Sequence, residues 1–353
     1  MKIGLAMIVK DEQQNIVRAL ETVKDAFDVF CINYSGSTDS TLEVGEKWME
    51  ENGKDGIWIC PEWNGAADGL NATIEYLAEM EVDWVLRIDA DSLFTGTLPD
   101  FEKLDQDTDG IDTKILRNDG TFIASRPWLF KTHCRYKGVR HEGLYCNQRE
   151  EQTSFTITHA DDSGARPRSP ETYADDFQQM GGAIPGEYDS MMVKRYAFYM
   201  ANSARDGGDL FQAAMWFRLR MTMGGYPGEV EVSAREHALI MGQPHFWLDA
   251  INKHPNRPDM IFWALATAEG CGGVPFKAQV LEMMDVEKWE QGCMFMQADY
   301  DWKTRDMISI AYGELGQMEK SLDWGRQVLV WRDDIHEDDL ARILSRIGES
   351  EGE

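Results

Sequence analysis

The first ninety residues constrain the fold most, because strand-length apolar runs alternate there with amphipathic helical stretches. Residues 3–9 ("IGLAMIV"), 27–34 ("FDVFCINY"), 56–60 ("GIWIC") and 82–88 ("VDWVLRI") read as buried strands. Between them, "DEQQNIVRALETVKDA" sets Ile16, Val17, Leu20 and Val23 on one side of a helix, and "GSTDSTLEVGEKWMEENG" opens on N-cap residues. "AADGLNATIEYLAEM" supplies the third helix. Strands joined by helices of this length need right-handed crossovers, so the expectation is an α/β domain on a mostly parallel sheet.

In such a sheet, ligands sit beyond the carboxyl ends of the strands. Four segments should therefore be neighbours: "VKDE" (9–12), "NYSGSTD" (33–39), "CPEWNGAAD" (60–68) and "DADS" (89–92). The last carries an Asp-x-Asp triplet, Asp89 and Asp91. Similar triplets occur at Asp105/Asp107, Asp107/Asp109 and Asp299/Asp301, but only Asp89 and Asp91 follow an apolar run, Val82, Trp84, Val85, Leu86 and Ile88. Two carboxylates at a strand end can hold a hard divalent cation and leave positions open for phosphate oxygens. Without a cation, two aspartates would repel a diphosphate. Lys114, Arg117, Arg126, Lys131, Arg135, Lys137, Arg140 and Arg149 form a basic block containing only Asp119 and Glu142 as acids, which suggests an anionic ligand near this face.

Beyond Asp91 the rhythm changes. "TKILRNDGTFIASRPWLFK" predicts a hairpin turning at residues 118–120, and "SFTITHADD" another strand. The polar, turn-rich "DDSGARPRSPETYADDF" reads as a mobile loop leading into a helix or linker. From about residue 186 the pattern is helical. The segments "YMANSARDGGDLFQAAMWF" (199–217) and "MISIAYGELGQMEKSLDWG" (307–325) resemble each other. Gly208, Gly242, Gly272/Gly273 and Gly316 fall near the roughly 34-residue spacing of tetratricopeptide helix pairs. Two domains are expected, an α/β domain over 1–185 and an all-α domain over 186–353.

The chain has 353 residues and a formal charge of −27, which argues against nonspecific binding to nucleic acid or an anionic membrane. Six scattered cysteines without a C-x-x-C pair fit reduced thiols better than a zinc site or disulfide framework. The N-terminal apolar run, about seven residues, is too short for a membrane span and lacks a cleavage site. The expected location is the cytoplasm.

"IGLAMIVKDEQQNIVRAL", "INYSGSTDST", "DWVLRIDADS" and "YKGVRHEGLY", in that order, resemble glycosyltransferase family 2 enzymes of the GT-A fold, a nucleotide-diphospho-sugar transferase fold with a Rossmann-like mixed sheet. More narrowly, they resemble members that carry tetratricopeptide-like helices behind the catalytic domain. The resemblance covers residues 1–185 well and the helical half loosely. It implies inverting transfer of a sugar from a nucleoside-diphosphate sugar to an acceptor hydroxyl, with a divalent metal (Mn2+ or Mg2+) as cofactor. The acceptor could be a glycan, a protein, a lipid-linked sugar or a hydroxymethylated phage DNA base, the nucleic acid being disfavoured by the acidic balance.

The resemblance also assigns roles. Val9, Glu12 and the loop Tyr34, Ser35, Gly36, Ser37 and Asp39 would cradle the nucleotide, with Asp68 and Asn71 beside it. Asp91 would bind the metal, Asp89 ribose or metal, and His159 would complete the metal shell. Glu142 in "RHEG" would be the base that takes the acceptor proton, with His141 as fallback. Arg166 and Arg168 would close over the diphosphate. Three departures stand out: Tyr34 replaces an Asp that commonly reads uracil, Ser92 an acid after the triplet, and Leu70 an Arg before Asn71. An alternative is a non-catalytic scaffold whose helical half binds a protein partner in its concave face beside a degenerate glycosyltransferase domain. A nucleotidyltransferase is disfavoured because "VKDEQQN" stands where its Gly-rich, Arg-containing loop would be.

Overall fold

The structure, a computed structural model, describes residues 1–118, 122–159, 169–289 and 299–348. It divides into two compact units, Met1–Gly207 and Gly208–Glu353.

The first unit opens with the expected alternation: β1 (Ile3–Ile8), α1 (Ile16–Val23), β2 (Val29–Asn33), α2 (Thr41–Glu51), β3 (Asp55–Ile59), α3 (Ala66–Glu79) and β4 (Trp84–Arg87). β1 pairs in parallel with β2 on one side and β4 on the other, and β2 pairs in parallel with β3. A central parallel strand is covered on both faces, which is why Leu5, Ala6 and Met7 are wholly buried. At the edge strand β3, a Cβ on Gly56 would lie 2.2 Å from the Phe30 carbonyl oxygen, so only glycine fits there. Each helix buries the stripe its sequence marks out: Ile16, Ala19, Leu20 and Val23 on α1, and Leu70, Ile74 and Leu77 on α3.

After β4 come β5 (Ser92–Gly96), β6 (Gly110–Arg117), β7 (Phe122–Phe130), β8 (Arg135–Lys137), β9 (Gly143–Tyr145), β10 (Arg149–Glu151) and β11 (Phe155–His159). The sheet order is β3-β2-β1-β4-β7-β6-β11-β5, with β10 on β6, and β8–β9 form a separate ribbon. β7 runs antiparallel to β4 and β6, so the sheet is mixed, and the unit is GT-A-like. The expected β6–β7 hairpin forms; residues 119–121 of its turn are outside the described residues. β5 lies at the far end of this order, yet only residues 88–91 separate it from β4, so the last strands curl back. The Phe94 amide accordingly reaches Thr22 Oγ1 on α1 at 3.1 Å. Curling brings β11 beside the end of β4.

Helical structure starts earlier than residue 186. The stretch read as a loop leading into a helix or linker leads into α4 (Pro170–Ala183), opened by a Ser169/Thr172 capping box with Pro170 at its start, and α5 (Ser190–Asp206) follows within the first unit.

The second unit is all-α: α6 (Leu210–Thr222), α7 (Pro227–Met241), α8 (Pro244–Lys253), α9 (Pro258–Ala266), α10 (Val274–Met283), α11 (Asp299–Glu314), α12 (Met318–Val328) and α13 (Glu337–Ile347). Trp247, Met260, Ile261, Phe276, Val280 and Ile308 centre its core. Gly208, Gly242, Gly272, Gly273 and Gly316 all take positive φ between helices. The segment 199–217 is divided between the two units at Gly207/Gly208. Among the described residues no helix is long and apolar enough to cross a membrane.

Candidate active site at the strand ends

The loops after β1 and β2 are laced together. Asp11 Oδ1 accepts from the Thr38 amide (2.7 Å) and hydroxyl (3.2 Å), and the Asp11 amide donates to Ser37 Oγ (3.1 Å). The Glu12 amide donates to Thr41 Oγ1 (2.7 Å), the Gln13 amide to Asp39 Oδ2 (3.1 Å), and the Ser40 amide to Gln13 Oε1 (3.1 Å). Asp39 Oδ1 also takes the Thr41 amide and hydroxyl at 3.0 and 2.5 Å. Burial opposes ionisation of Asp39, but these bonds outweigh it and hold its carboxyl below the usual range. The Val9 amide bonds the Asn33 carbonyl at 2.8 Å, and Asn33 Oδ1 accepts from the Ser35 amide at 2.9 Å. Ser35 (φ 46°) and Asp11 (φ 56°) are left-handed, with Gly36 (φ 63°) following Ser35. Non-glycine residues rarely adopt that conformation, so the lacing holds a loop shape the sequence alone would not favour. Tyr34 reaches the third strand end, where a hydrogen bond with the Cys60 thiol raises its phenol above the ordinary value.

Glu12 lies within electrostatic reach of Asp39, Asp89 and Asp91. Burial raises the Glu12 carboxyl, against a hydrogen bond from Asn15 that lowers it, and the charges of Asp91, Asp39 and Asp89 push it further up. Asp91 has His159 as neighbour, Nδ1 to Oδ1 4.0 Å, and Ser92 Oγ lies 3.0 Å from the same ring nitrogen. Strand register accounts for this, since His159 on β11 stands opposite Ser92 on β5.

The two aspartates of the triplet differ. Asp89 is held by Arg87, whose Nη2 lies 2.9 and 3.2 Å from the carboxylate oxygens. The guanidinium sits between the rings of Trp128 (5.5 Å) and Tyr136 (5.3 Å). Burial disfavours its charge, but Asp89 and Tyr136 more than compensate and raise its pKa. Sequence reasoning passed over Arg87; the available signal was a lone arginine inside an apolar strand.

Asn71 uses both ends of its carboxamide on the Tyr136 backbone, donating to the carbonyl (2.9 Å) and accepting from the amide (2.8 Å), so it tethers the β8–β9 ribbon to α3. Asp68 lies exposed in the first turn of α3. His141 and Glu142 end the loop joining β8 to β9, and His141 is left-handed (φ 52°). Arg166 and Arg168 fall outside the described residues.

Five members of the basic block are engaged by other parts of the protein. Lys137 pairs with Asp189, Arg140 with Asp176 and Asp175, and Arg149 with Asp112. Arg135 donates to the Thr132 and Cys134 carbonyls, and Lys131 lies over Trp84.

Asp109, Cys134 and Cys146 have potential ligand atoms within 4.8 Å of one another. The Asp109 carboxylate already accepts from His133 Nε2 (2.7 Å), the Asn147 amide (3.2 Å) and side chain (3.1 Å), and the Gln148 amide (2.9 Å). Those donors make it a structural knot under the ribbon.

Residues 5–154 match the family model for Glycosyl transferase family 2. This part of the chain, a little under half, is similar to that family. No curated protein matches the sequence. Among solved structures, a 1–349 fragment of S. aureus TarS with UDP-GlcNAc is 14% identical, with 68% of this chain and 86% of that one covered at a TM-score of 0.39. S. aureus TarS itself is 12% identical over 71% of this chain and 54% of that one, TM-score 0.39. BtubC (BKLC) from P. vanneervenii is 11% identical over 53% and 83%, TM-score 0.36. Likeness at these scores says nothing of what this chain binds.

Proposed function

We propose that the chain, with its family 2 glycosyltransferase domain, is a metal-dependent inverting glycosyltransferase that moves a sugar from a nucleoside-diphosphate sugar to an acceptor hydroxyl. The observation that carries this is the cluster at the strand ends, where Asp91, Ser92, Glu12 and Asp39 of the matched region meet His159, which follows that region on β11.

The donor set fits a divalent cation. A carboxylate oxygen and an imidazole nitrogen 4.0 Å apart can share one ion at ligand distances of about 2.1 Å. Glu12, raised mainly by burial and further by the charges of Asp91, Asp39 and Asp89, adds negative charge beside the pair, which favours a cation there. Asp91 and His159 would hold it, with Asp89 kept beside them by Arg87. When bound, the ion would supply Lewis-acid neutralisation of the leaving diphosphate.

The chain's own residues do the rest. The laced loops from Val9 to Glu12 and from Tyr34 to Asp39 bind the nucleotide, held in shape by their mutual hydrogen bonds so that little is left to order on binding. Tyr34, in place of an acid, presents a ring for stacking and a hydroxyl for the base. The acceptor oxygen attacks the anomeric carbon from the face opposite the diphosphate. As the new C–O bond forms, the bond to the phosphate oxygen breaks, its electron pair leaves with the nucleoside diphosphate, and the hydroxyl proton passes to the Glu142 carboxylate. We assign this chemistry to Met1–Gly207. The positive-φ glycines support reading the second unit as tetratricopeptide-like, a surface for a protein partner.

The test is thermal stabilisation by a panel of nucleoside diphosphates with and without Mn2+. A metal-dependent rise in Tm, lost in Asp91→Ala, is expected. No shift with any nucleotide and metal would overturn the assignment.

A further inference from the structure

The loop that carries Glu142 is gripped by one face of α5. Met192, Arg195, Tyr196 and Tyr199 follow the i, i+3, i+4, i+7 spacing that lines up side chains along a helix. Each touches a different part of the loop. A Cβ on Gly138 (φ 115°) would lie 2.6 Å from Met192 Cε, so glycine lets the loop settle on α5. The Val139 amide donates to Tyr196 Oη at 3.1 Å. Tyr199 stacks on His141 with ring centroids 3.8 Å apart and planes at 7°. Arg195 Nε donates to the His141 carbonyl at 2.5 Å, its Nη2 lies 3.4 Å from the Glu142 carbonyl, and its guanidinium covers Tyr199 at 4.9 Å. Arg140, between these anchors, is tied to Asp176 of α4 at 2.8 Å.

We propose that Arg195 and Tyr199 are positioning residues for the transfer, fixing the His141–Glu142 peptide and with it the direction of the Glu142 carboxylate. The inference rests on Glu142 acting as the base. His141 occupies left-handed backbone space that a non-glycine residue rarely takes unaided. A stacked ring on one side and a guanidinium on its carbonyl hold that geometry. A peptide rotated at His141 would turn the next side chain away from the acceptor, and small misplacements of a reacting group lower rate steeply. A glycosyltransferase domain that ended near residue 185 would lack this support.

The experiment compares Arg195→Ala, Arg195→Lys, Tyr199→Ala, Tyr199→Phe and Glu142→Gln in the full chain. One assay follows nucleoside diphosphate released from a panel of nucleotide sugars with Mn2+, water serving as surrogate acceptor. The other follows hydrogen exchange at the amides of residues 139–143 by mass spectrometry. Arg195→Ala should lower kcat at least tenfold with donor KM within twofold, and exchange in the loop should quicken. Arg195→Lys and Tyr199→Phe should each recover part of the rate lost in their alanine counterparts. Unchanged exchange or unchanged kcat in both alanine variants would overturn the proposal, as would a loss that appears wholly in KM. If the wild-type protein releases no nucleotide while exchange still quickens in Arg195→Ala, the enzyme assignment falls and the gripping of the loop stands.

Discussion

Replacing Arg87 by Met isolates the device that separates the two aspartates of the triplet. Methionine keeps the apolar stem that passes between Trp128 and Tyr136 and removes the guanidinium. Arg87 is 24% exposed and Asp89 33%, so the pair is neither a surface salt bridge nor a sealed one. Surface pairs contribute about 0–1 kcal/mol, whereas removing one partner of a buried pair costs about 3–5 kcal/mol. Intermediate exposure and two short contacts to one carboxylate place the loss near 2 kcal/mol, which for a unit of this size corresponds to a fall of about 4–8 °C in Tm. Hydrogen exchange in urea, read on peptides from β1 and β4, follows this unit alone. Asp89→Asn and the double variant complete a cycle, with an expected coupling of about 1.5 kcal/mol. A loss below about 0.5 kcal/mol in Arg87→Met, or single losses that merely add, would refute the pairing. The same variant leaves Asp89 unclaimed beside Asp91, so its affinity for Mn2+ by calorimetric titration should rise rather than fall.

Three further outcomes are expected. His159→Ala should weaken Mn2+ binding about 10- to 100-fold, as losses at a metal's coordination shell do, while nucleotide-only stabilisation persists; titration calorimetry separates the two. Asp109→Ala should destabilise the first unit by about 1–2 kcal/mol in urea titration, because it leaves the part-buried amides of Asn147 and Gln148 without their acceptor. Asp39 has a folded pKa below its unfolded one, so its contribution is complete above the ordinary aspartate range and is lost as pH falls through the depressed folded value. Asp39→Asn should therefore flatten the acid limb of the stability–pH curve and leave its alkaline limb unmoved.

The parallel half of the fold was legible in sequence because each strand is an unbroken apolar run and each helix carries its own periodic stripe. The strand-end rule then brought Glu12, Asp39, Asp89 and Asp91 together without coordinates. The short strands β5, β8, β9 and β10 were missed because "SLFTG", "RYK", "GLY" and "REE" carry no unbroken apolar run. The ion pairs of the basic block were not legible in sequence, for another reason. Its charges are neighbours in sequence, but their acceptors, Asp112, Asp175, Asp176 and Asp189, come from other elements. Helix α5 was legible as a helix but not as part of the site, since nothing local says which loop its apolar stripe will cover. Tyr196, though buried, accepts the Val139 amide, and Tyr199 stacks on His141.

The lacing between the first two loops makes them a single exchangeable part. Six hydrogen bonds join residues 11–13 to residues 37–41, and each relies on a side chain or amide from both partners. A chimera that imported residues 35–41 lacking Ser37, Thr38, Asp39 or Thr41 would leave Asp11, Glu12 and Gln13 without the partners that hold the first loop. The two loops therefore keep their shape only as a pair, and any recombination library should place its crossovers outside residues 9–41.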